Sequence, residues 1–168
     1  MQSESARATS ATEARFRVDA PNSRPRAIKV IALDSASEAV VKRLAQSPWA
    51  NATFLTTLAH PPPRGAPFSI SGWLGDLAGH TKNLVDEIDN ADLVVMVATA
   101  GENAEAASII GEACSLKRVM TTALVIARGT AFDAALSQSL AQLRPWSLML
   151  VIASADDYIA DMLVALRA

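Results

Sequence analysis

Acidic, hydroxyl and glycine residues follow several short apolar runs of this chain, where they could bind a ligand. The candidate site comprises Asp34, Ser35, Ser37, Thr99, Gly101, Glu102, Asn103, Arg128, Ser154 and Asp156. Carboxylates and hydroxyls suit a metal ion such as Mg²⁺, an amine or sugar hydroxyls better than a phosphate. Arg128 could instead hold an anion, or pair with a neighbouring acid. The simpler alternative is structural, because Ser35 and Ser154 can cap helices and acids favour helix N-termini.

Residues typical of nucleophilic or zinc chemistry are few. The only histidines are His60 and His80, the only cysteine is Cys114, and the sequence contains no HExxH, CxxC or GxSxG motif. A structural zinc site therefore lacks its usual ligands. Ser137 and Ser139 fall within an expected helix with no base in view, so a catalytic triad has no starting point. Whether the chain is an enzyme stays open, and the pattern favours a non-enzyme.

Short apolar runs alternate with helical patterns along the chain. Runs typical of buried strands occupy 27–33, 53–58, 92–98, 119–127 and 148–153. Helices are expected from Ser35 (with Glu38 in a capping box), over 73–88 and 103–117, and after Thr130 and Ser154. Continuous apolar strands need helices on both faces of the sheet. The order therefore predicts an α/β fold: a Rossmann-like three-layer sandwich with a mostly parallel, doubly wound five-stranded sheet. Its ligands would bind at the carboxyl ends of the strands.

Three tryptophans have two alternative interpretations. Trp73 lies on the apolar stripe of the expected helix over 73–88. Trp49 and Trp146 each follow a proline just before a strand. They could anchor a partner or cap the amino-terminal edge of the sheet, and the second is favoured. Cys114 has apolar helical neighbours, which indicates an inert core thiol.

Composition divides the chain into a tail and a domain. Residues 1–26 are rich in Ser, Ala and Arg, which predicts a disordered tail, and 27–168 predict one domain. The whole chain has a formal net charge of −2, and the tail has five arginines against three acids, a charge of +2. The domain therefore carries a net charge of −4. An acidic domain is a poor nucleic-acid binder. One cysteine, no secretory signal and no run near the roughly 20 apolar residues of a membrane helix indicate a cytoplasmic protein without a membrane partner.

Three segments resemble the N-terminal nucleotide-binding domain of the FtsZ/tubulin family. IKVIALDSASEAVVKRL (28–44) is similar to that family's IKVIGVGGxGGNAVNRM. DLVVMVATAG (92–101), followed by AASIIGEA (106–113), is similar to DMVFITAG and AAPVIAEI. LAQLRPWSLMLVIASADDYIADML (140–163) resembles the stretch around LxxxVDTLIVIPNDxLL. The resemblance extends over about four fifths of the chain and follows its hydrophobic framework.

The departures from that family fall on its phosphate-binding loops. Where the family has glycines in the first loop, this chain has Asp34, Ser35, Ser37 and Glu38, and ENAE (102–105) replaces GGGTGTG. Carboxylates would then stand where the family holds triphosphate. The resemblance also implies a second domain that completes GTP hydrolysis on a neighbouring subunit, and no such domain follows here before Ala168. GTPase activity and GTP-driven polymerisation are therefore not expected.

Two functions follow as hypotheses. The first is a non-catalytic FtsZ-like domain that acts as a protein-interaction or regulatory module and binds itself or an FtsZ-like protein. The alternative is a small-molecule or nucleotide-binding domain that uses the acidic strand ends. GTP or Mg²⁺ could be its ligands, although no intact motif supports either. A hydrolase or transferase is the least favoured, because no nucleophile, base and oxyanion donor assemble by spacing.

Overall fold

A computed structural model describes residues 25–57, 73–127, 133–154 and 156–168. The strands are β1 (Ile28–Ala32), β2 (Ala52–Thr56), β3 (Leu74–Asp76), β4 (Thr81–Lys82), β5 (Leu93–Thr99), β6 (Met120–Ile126) and β7 (Met149–Ala153). The helices are α1 (Ser35–Leu44), α2 (Leu84–Asp89), α3 (Ala106–Lys117), α4 (Asp133–Leu143) and α5 (Asp156–Ala165), and a 3₁₀ turn (Arg144–Trp146) follows α4. None of the helices in these ranges combines the length and apolarity needed to cross a membrane.

The strands form one sheet in the order β4-β3-β2-β1-β5-β6-β7. The five predicted strands are parallel to one another, and β3 and β4 add an antiparallel extension beyond β2. The predicted α/β, mostly parallel sheet is confirmed, whereas the number of five strands is wrong because the described sheet has seven. Among the parallel strands the chain reverses direction across the sheet between β1 and β5, which is where ligands bind in open sheets of this kind.

Two apolar clusters lie on opposite faces of the sheet, as a three-layer sandwich requires. Alternate residues of β5 point to opposite faces, so that Met96 belongs to one cluster and Val95 to the other. Helices α2, α3 and α4 pack on the face of Met96, and α1 and α5 pack on the face of Val95. Six consecutive residues of β5, from Leu93 to Ala98, are buried, which explains why this strand reads as a continuous apolar run.

The helix predicted over 73–88 is wrong. Residues 74–82 form the β3–β4 hairpin, and only Leu84–Asp89 is helical. The carboxylate of Asp76 accepts the N–H groups of Ala78 and His80 at 3.0 and 2.8 Å, and Gly79 has a φ of +89°. A side chain that binds the next turn's amides and a glycine in the left-handed region favour a tight turn over a helix. The hydrogen bond from the backbone of His80 lowers the pKa of Asp76 below 3.8.

Each tryptophan packs against the domain itself. Trp73 is buried in the α3-side cluster, as expected, although it precedes β3 and is not on a helix. The indole of Trp49 donates to the carbonyl of Leu44 at 2.7 Å, and its ring lies 6.0 Å from that of Phe54. The side chain of Trp146 contacts α3 at Gly111. Trp49 and Trp146 are therefore half-buried against α1 and α3, respectively.

Candidate functional site

Helix α1 begins at the end of β1, and Asp34 caps it. The Asp34 carboxylate accepts the Ser37 N–H at 2.8 Å, and the Asp34 N–H donates to the Ser37 hydroxyl at 3.1 Å. This reciprocal pair forms a capping box one residue earlier than the predicted pair of Ser35 and Glu38. The predicted cap is wrong because the helix begins one residue earlier, and the Asp34 carbonyl accepts the Glu38 N–H at 2.9 Å, the amide that a Ser35 cap would need.

The second carboxylate oxygen of Asp34 reaches across to β5. Asp34 Oδ2 accepts the backbone N–H of Thr99 at 2.7 Å, and the Asp34 side chain is 5% exposed. A single buried carboxylate thus connects the carboxyl ends of β1 and β5 at the switch point of the sheet. Charge-assisted hydrogen bonds of this length are among the stronger ones in proteins. Asp34 and Ser37 therefore act in the framework of the fold.

The loop after β5 is fixed by its own hydrogen bonds and by α4. The Gly101 N–H donates to the Ser139 hydroxyl at 2.9 Å, and the Ala104 N–H donates to the side-chain oxygen of Gln142 at 3.1 Å. The side chain of Asn103 accepts the Glu105 N–H at 2.9 Å. Gly101 has a φ of +87°, a conformation that glycine adopts without strain.

Ser139 and Gln142 hold the loop after β5, and the sequence does not reveal this role for either residue. The spacing places both on a helix, and Ser139 is buried there with its hydroxyl donating to the Ala135 carbonyl at 3.2 Å. Their contact with the loop after β5 depends on how α4 packs beside α3. Serine within a helix often bonds to the preceding turn. The burial of Ser139 distinguishes it from an ordinary surface serine, and the sequence alone does not show that burial.

A cavity of about 370 Å³ opens at the carboxyl ends of β1 and β2, beside the start of α3. Four predicted site residues line it, namely Asp34, Ser35, Glu102 and Asn103, together with Leu33, Thr57, Trp73, Glu105, Ala106 and Ile109. Glu102 and Glu105 are exposed at its mouth, whereas Trp73 and Leu33 are buried in its wall. The wall of the cavity is therefore mainly apolar, with the buried Asp34 and Thr57 within it, and two acids stand on its exposed rim.

The remaining predicted site residues lie elsewhere. Thr99 and Gly101 are close by but do not line the cavity, and the buried Thr99 hydroxyl has no hydrogen-bond partner among the described residues. Ser154 is exposed after β7, and Asp156 begins α5. Because β7 is two strands from β5, that end of the sheet is a separate position on the same edge. Arg128 lies outside the described residues, as do the helix start at Thr130 and most of the predicted tail.

The acidic, histidine and cysteine side chains are arranged as follows. Within the described ranges, no group of three His, Cys, Asp or Glu side chains is placed to hold a metal ion. Burial raises the pKa of the Cys114 thiol to about 12, so that it stays protonated at neutral pH. His80 is exposed and contacts Asp76 within the hairpin turn.

The fold and the strand-end site together define an α/β domain of the Rossmann-like class. No family model matches the chain, and no curated protein does. A solved structure, a flavoprotein in complex with FMN from Lactobacillus acidophilus NCFM, is similar to it with 10% sequence identity and a TM-score of 0.48. The alignment covers 83% of this chain and 99% of that one.

Proposed function

We propose that this chain is a non-catalytic, FtsZ-like module that binds another protein and neither binds nor hydrolyses GTP. The observation that carries the proposal is the Asp34 carboxylate, which occupies the backbone amides of Ser37 and Thr99. A helix N-terminus binds phosphate through amides that are open to the ligand. Here a buried anion of the protein itself holds that position.

Charge adds to the loss of open amides. A phosphate oxygen about 4 Å from the Asp34 carboxylate would be repelled by about 4 kcal/mol at an effective dielectric of 20. Glu102 and Glu105, at the mouth of the neighbouring cavity, would add to this repulsion. The site therefore disfavours a triphosphate on both hydrogen-bonding and electrostatic grounds.

The amides of the loop after β5 are also engaged within the protein. The N–H groups of Gly101 and Ala104 donate to side chains of α4, and that of Glu102 donates to the Thr99 carbonyl at 3.1 Å. In the family that the sequence resembles, this second loop would be rich in glycine and would cradle phosphates. Its counterpart here is occupied by acceptors from the chain itself.

A protein partner fits the surface better than a nucleic acid. The domain is acidic, and several large apolar side chains are more than half exposed, among them Leu148, Val164 and Tyr158 at 78, 66 and 53%. Exposed apolar side chains contribute to protein-binding surfaces when they cluster, and Leu148 adjoins the exposed strand β7. The partner of the first hypothesis is thus a second copy of the chain or an FtsZ-like protein.

Thermal denaturation with GTP, GDP and ATP, each with and without Mg²⁺, tests the loss of nucleotide binding. A ligand at 100 times its Kd stabilises a fold by about 2.7 kcal/mol, a rise in Tm of several degrees. We expect no rise with any of these nucleotides. A Mg²⁺-dependent rise with GTP would show that the phosphate site works in altered form and would overturn the proposal.

The strand-end cavity favours a second candidate function, the binding of a small molecule without phosphate groups. Its apolar wall and acidic entrance suit a ligand with an apolar body and an amine. Because Asp34 is committed to the framework, Glu102→Gln and Glu105→Gln test the entrance better than a change at Asp34. Amine ligands that shift the NMR signal of the Trp73 indole, and do so less in the two variants, would support this function. No shift of that signal would count against it.

A further inference from the structure

Strand β7 leaves an apolar edge on the sheet. In the described residues it pairs with β6 on one side only, and its sequence, MLVIA, contains neither charge nor proline. Edge strands of monomeric proteins are usually short or carry charges that prevent pairing with another chain. The opposite edge follows that rule, because β4 has two residues and ends in Lys82. Among the described residues, β7 is longer than β4 and carries no such charge.

The backbone of β7 is complementary to a second copy of itself. The Ala127 N–H donates to the Ala153 carbonyl at 2.9 Å, so that Ala153 directs its backbone toward β6. Successive residues of a strand direct these groups to opposite sides, which leaves those of Leu150 and Ile152 on the outer side. In an antiparallel pair centred on Val151, Leu150 of each copy would exchange two hydrogen bonds with Ile152 of the other.

The side chains of β7 are compatible with the same register. Met149 and Ile152 are 40 and 42% exposed, although both are large and apolar. Centring the pair on Val151 places Met149 opposite Ala153, a large residue against a small one, and Leu150 opposite Ile152. No charged residue occurs from position 145 to position 155, so a twofold axis here brings no like charges together.

A larger interface would need surface beyond β7 itself. A strand pair alone buries less than the roughly 1,000 Å² in total that a specific interface needs. Helix α4 connects β6 to β7, and its described exposed residues are Ala134, Ser137, Gln138 and Ala141, none of them charged. Tyr158, near the start of α5, is 53% exposed. A twofold arrangement would use each of these surfaces twice.

We propose that β7 pairs with β7 of a second copy across a twofold axis and joins the two sheets into one. This inference rests on the proposed function, because it names the partner and the surface of the interaction module. Strand β7 lies at the edge of the sheet opposite to the β3–β4 hairpin. It is independent of nucleotide, since β7 is two strands away from the switch point.

Sedimentation velocity across a range of protein concentrations tests the dimer. We expect the wild-type chain to sediment as a dimer, with a mass twice the 17.7 kDa of one chain. Ile152→Lys should weaken the dimer about 100-fold, because it places a charge in an apolar interface. Leu116→Lys, at a more exposed apolar residue on α3, is the matched control and should leave the dimer unchanged. Circular dichroism of both variants would establish that they fold.

A cysteine at the axis tests the register. Residues that face each other in a non-hydrogen-bonded antiparallel pair have Cβ atoms about 4.5–5.5 Å apart, close to disulfide distance. Val151→Cys should therefore give a covalent dimer under mild oxidation, whereas Leu116→Cys should not. The native Cys114 is buried and does not compete.

The outcomes separate this inference from the proposed function. A wild-type chain that is monomeric at all concentrations, or a dimer that Ile152→Lys leaves intact and Val151→Cys does not cross-link, would overturn the β7 pairing. Neither result concerns GTP, so the loss of nucleotide binding would stand. A GTP-dependent rise in Tm would overturn the proposed function whatever the oligomeric state.

Discussion

The Asp34 carboxylate shows how one residue can stabilise a fold at two points. It accepts the amides of Ser37 and Thr99, one at the start of α1 and one at the end of β5. At this position the sequence shows only an aspartate where the family that it resembles has glycine, and the structure adds the two amides that this aspartate binds.

Asp34→Ala is expected to destabilise the domain substantially. The change removes a helix cap, which costs about 1 kcal/mol, and leaves the buried Thr99 amide without an acceptor, which costs about 1–3 kcal/mol. Urea denaturation should therefore show a fall of about 2–4 kcal/mol in the free energy of unfolding. Glu102→Gln, an exposed acid at the same edge, is the control and should stay within about 0.5 kcal/mol. Equal stability of the two variants would contradict the framework role of Asp34.

The Cys114 thiol is expected to be unreactive until the domain unfolds. Burial raises its pKa from an ordinary value of 9.0 to about 12, so almost no thiolate exists at pH 8. A chromogenic disulfide reagent should react with it in denaturant and not in buffer, whereas Leu116→Cys should give one fast-reacting thiol. Because the folded pKa is the higher one, the thiol favours the folded state fully below pH 9 and loses this effect as the pH rises toward 12. Rapid reaction of the native protein would contradict this burial.

At the scale of elements, the parallel part of the sheet was predictable and the hairpin was not. Five apolar runs specify five buried strands, because a strand covered on both faces carries few polar residues. The residues from Trp73 to Ile88 recur at helical spacing, yet Asp76 and Gly79 form a turn whose effect outweighs that spacing. The order of strand ends correctly brought Asp34 and Thr99 together. The cavity could not be predicted from the sequence, because Trp73 and Ile109 come together only through tertiary packing.

The packing of α3 on the 3₁₀ turn leads to a prediction that opposes helix propensity. Gly111 lies within α3, where alanine would normally be favoured by about 1 kcal/mol. A Cβ atom there would lie 2.5 Å from the Cβ of Trp146, so the turn or the helix must shift. Overpacking of this kind costs about 1–3 kcal/mol. Gly111→Ala should therefore lower the midpoint of urea denaturation, whereas the exposed Ser115→Ala should not. A higher midpoint for Gly111→Ala would mean that the helix propensity of alanine outweighs its overpacking against Trp146.

At the scale of the whole molecule, both apolar clusters share one sheet. Strand β5 supplies Met96 to the α3 side and Val95 to the α1 side, and each of the five helices in the described residues packs on one of these two faces. Neither cluster can lose its helices without exposing a face of the same central strands. The described structure therefore contains no layer that could unfold alone at low cost.

The domain is expected to unfold in one cooperative transition. Trp49 packs against the α1-side cluster, whereas Trp73 and Trp146 belong to the α3 side, so the fluorescence of a Trp49→Phe variant reports only the second face. In a two-state transition, that signal and the far-ultraviolet circular dichroism should give the same urea midpoint and slope. The measurement belongs in the Ile152→Lys background, where self-association does not shift the midpoint with concentration. Two separated midpoints would show that the α1 and α3 faces are independent, which a single central strand buried on both sides does not allow.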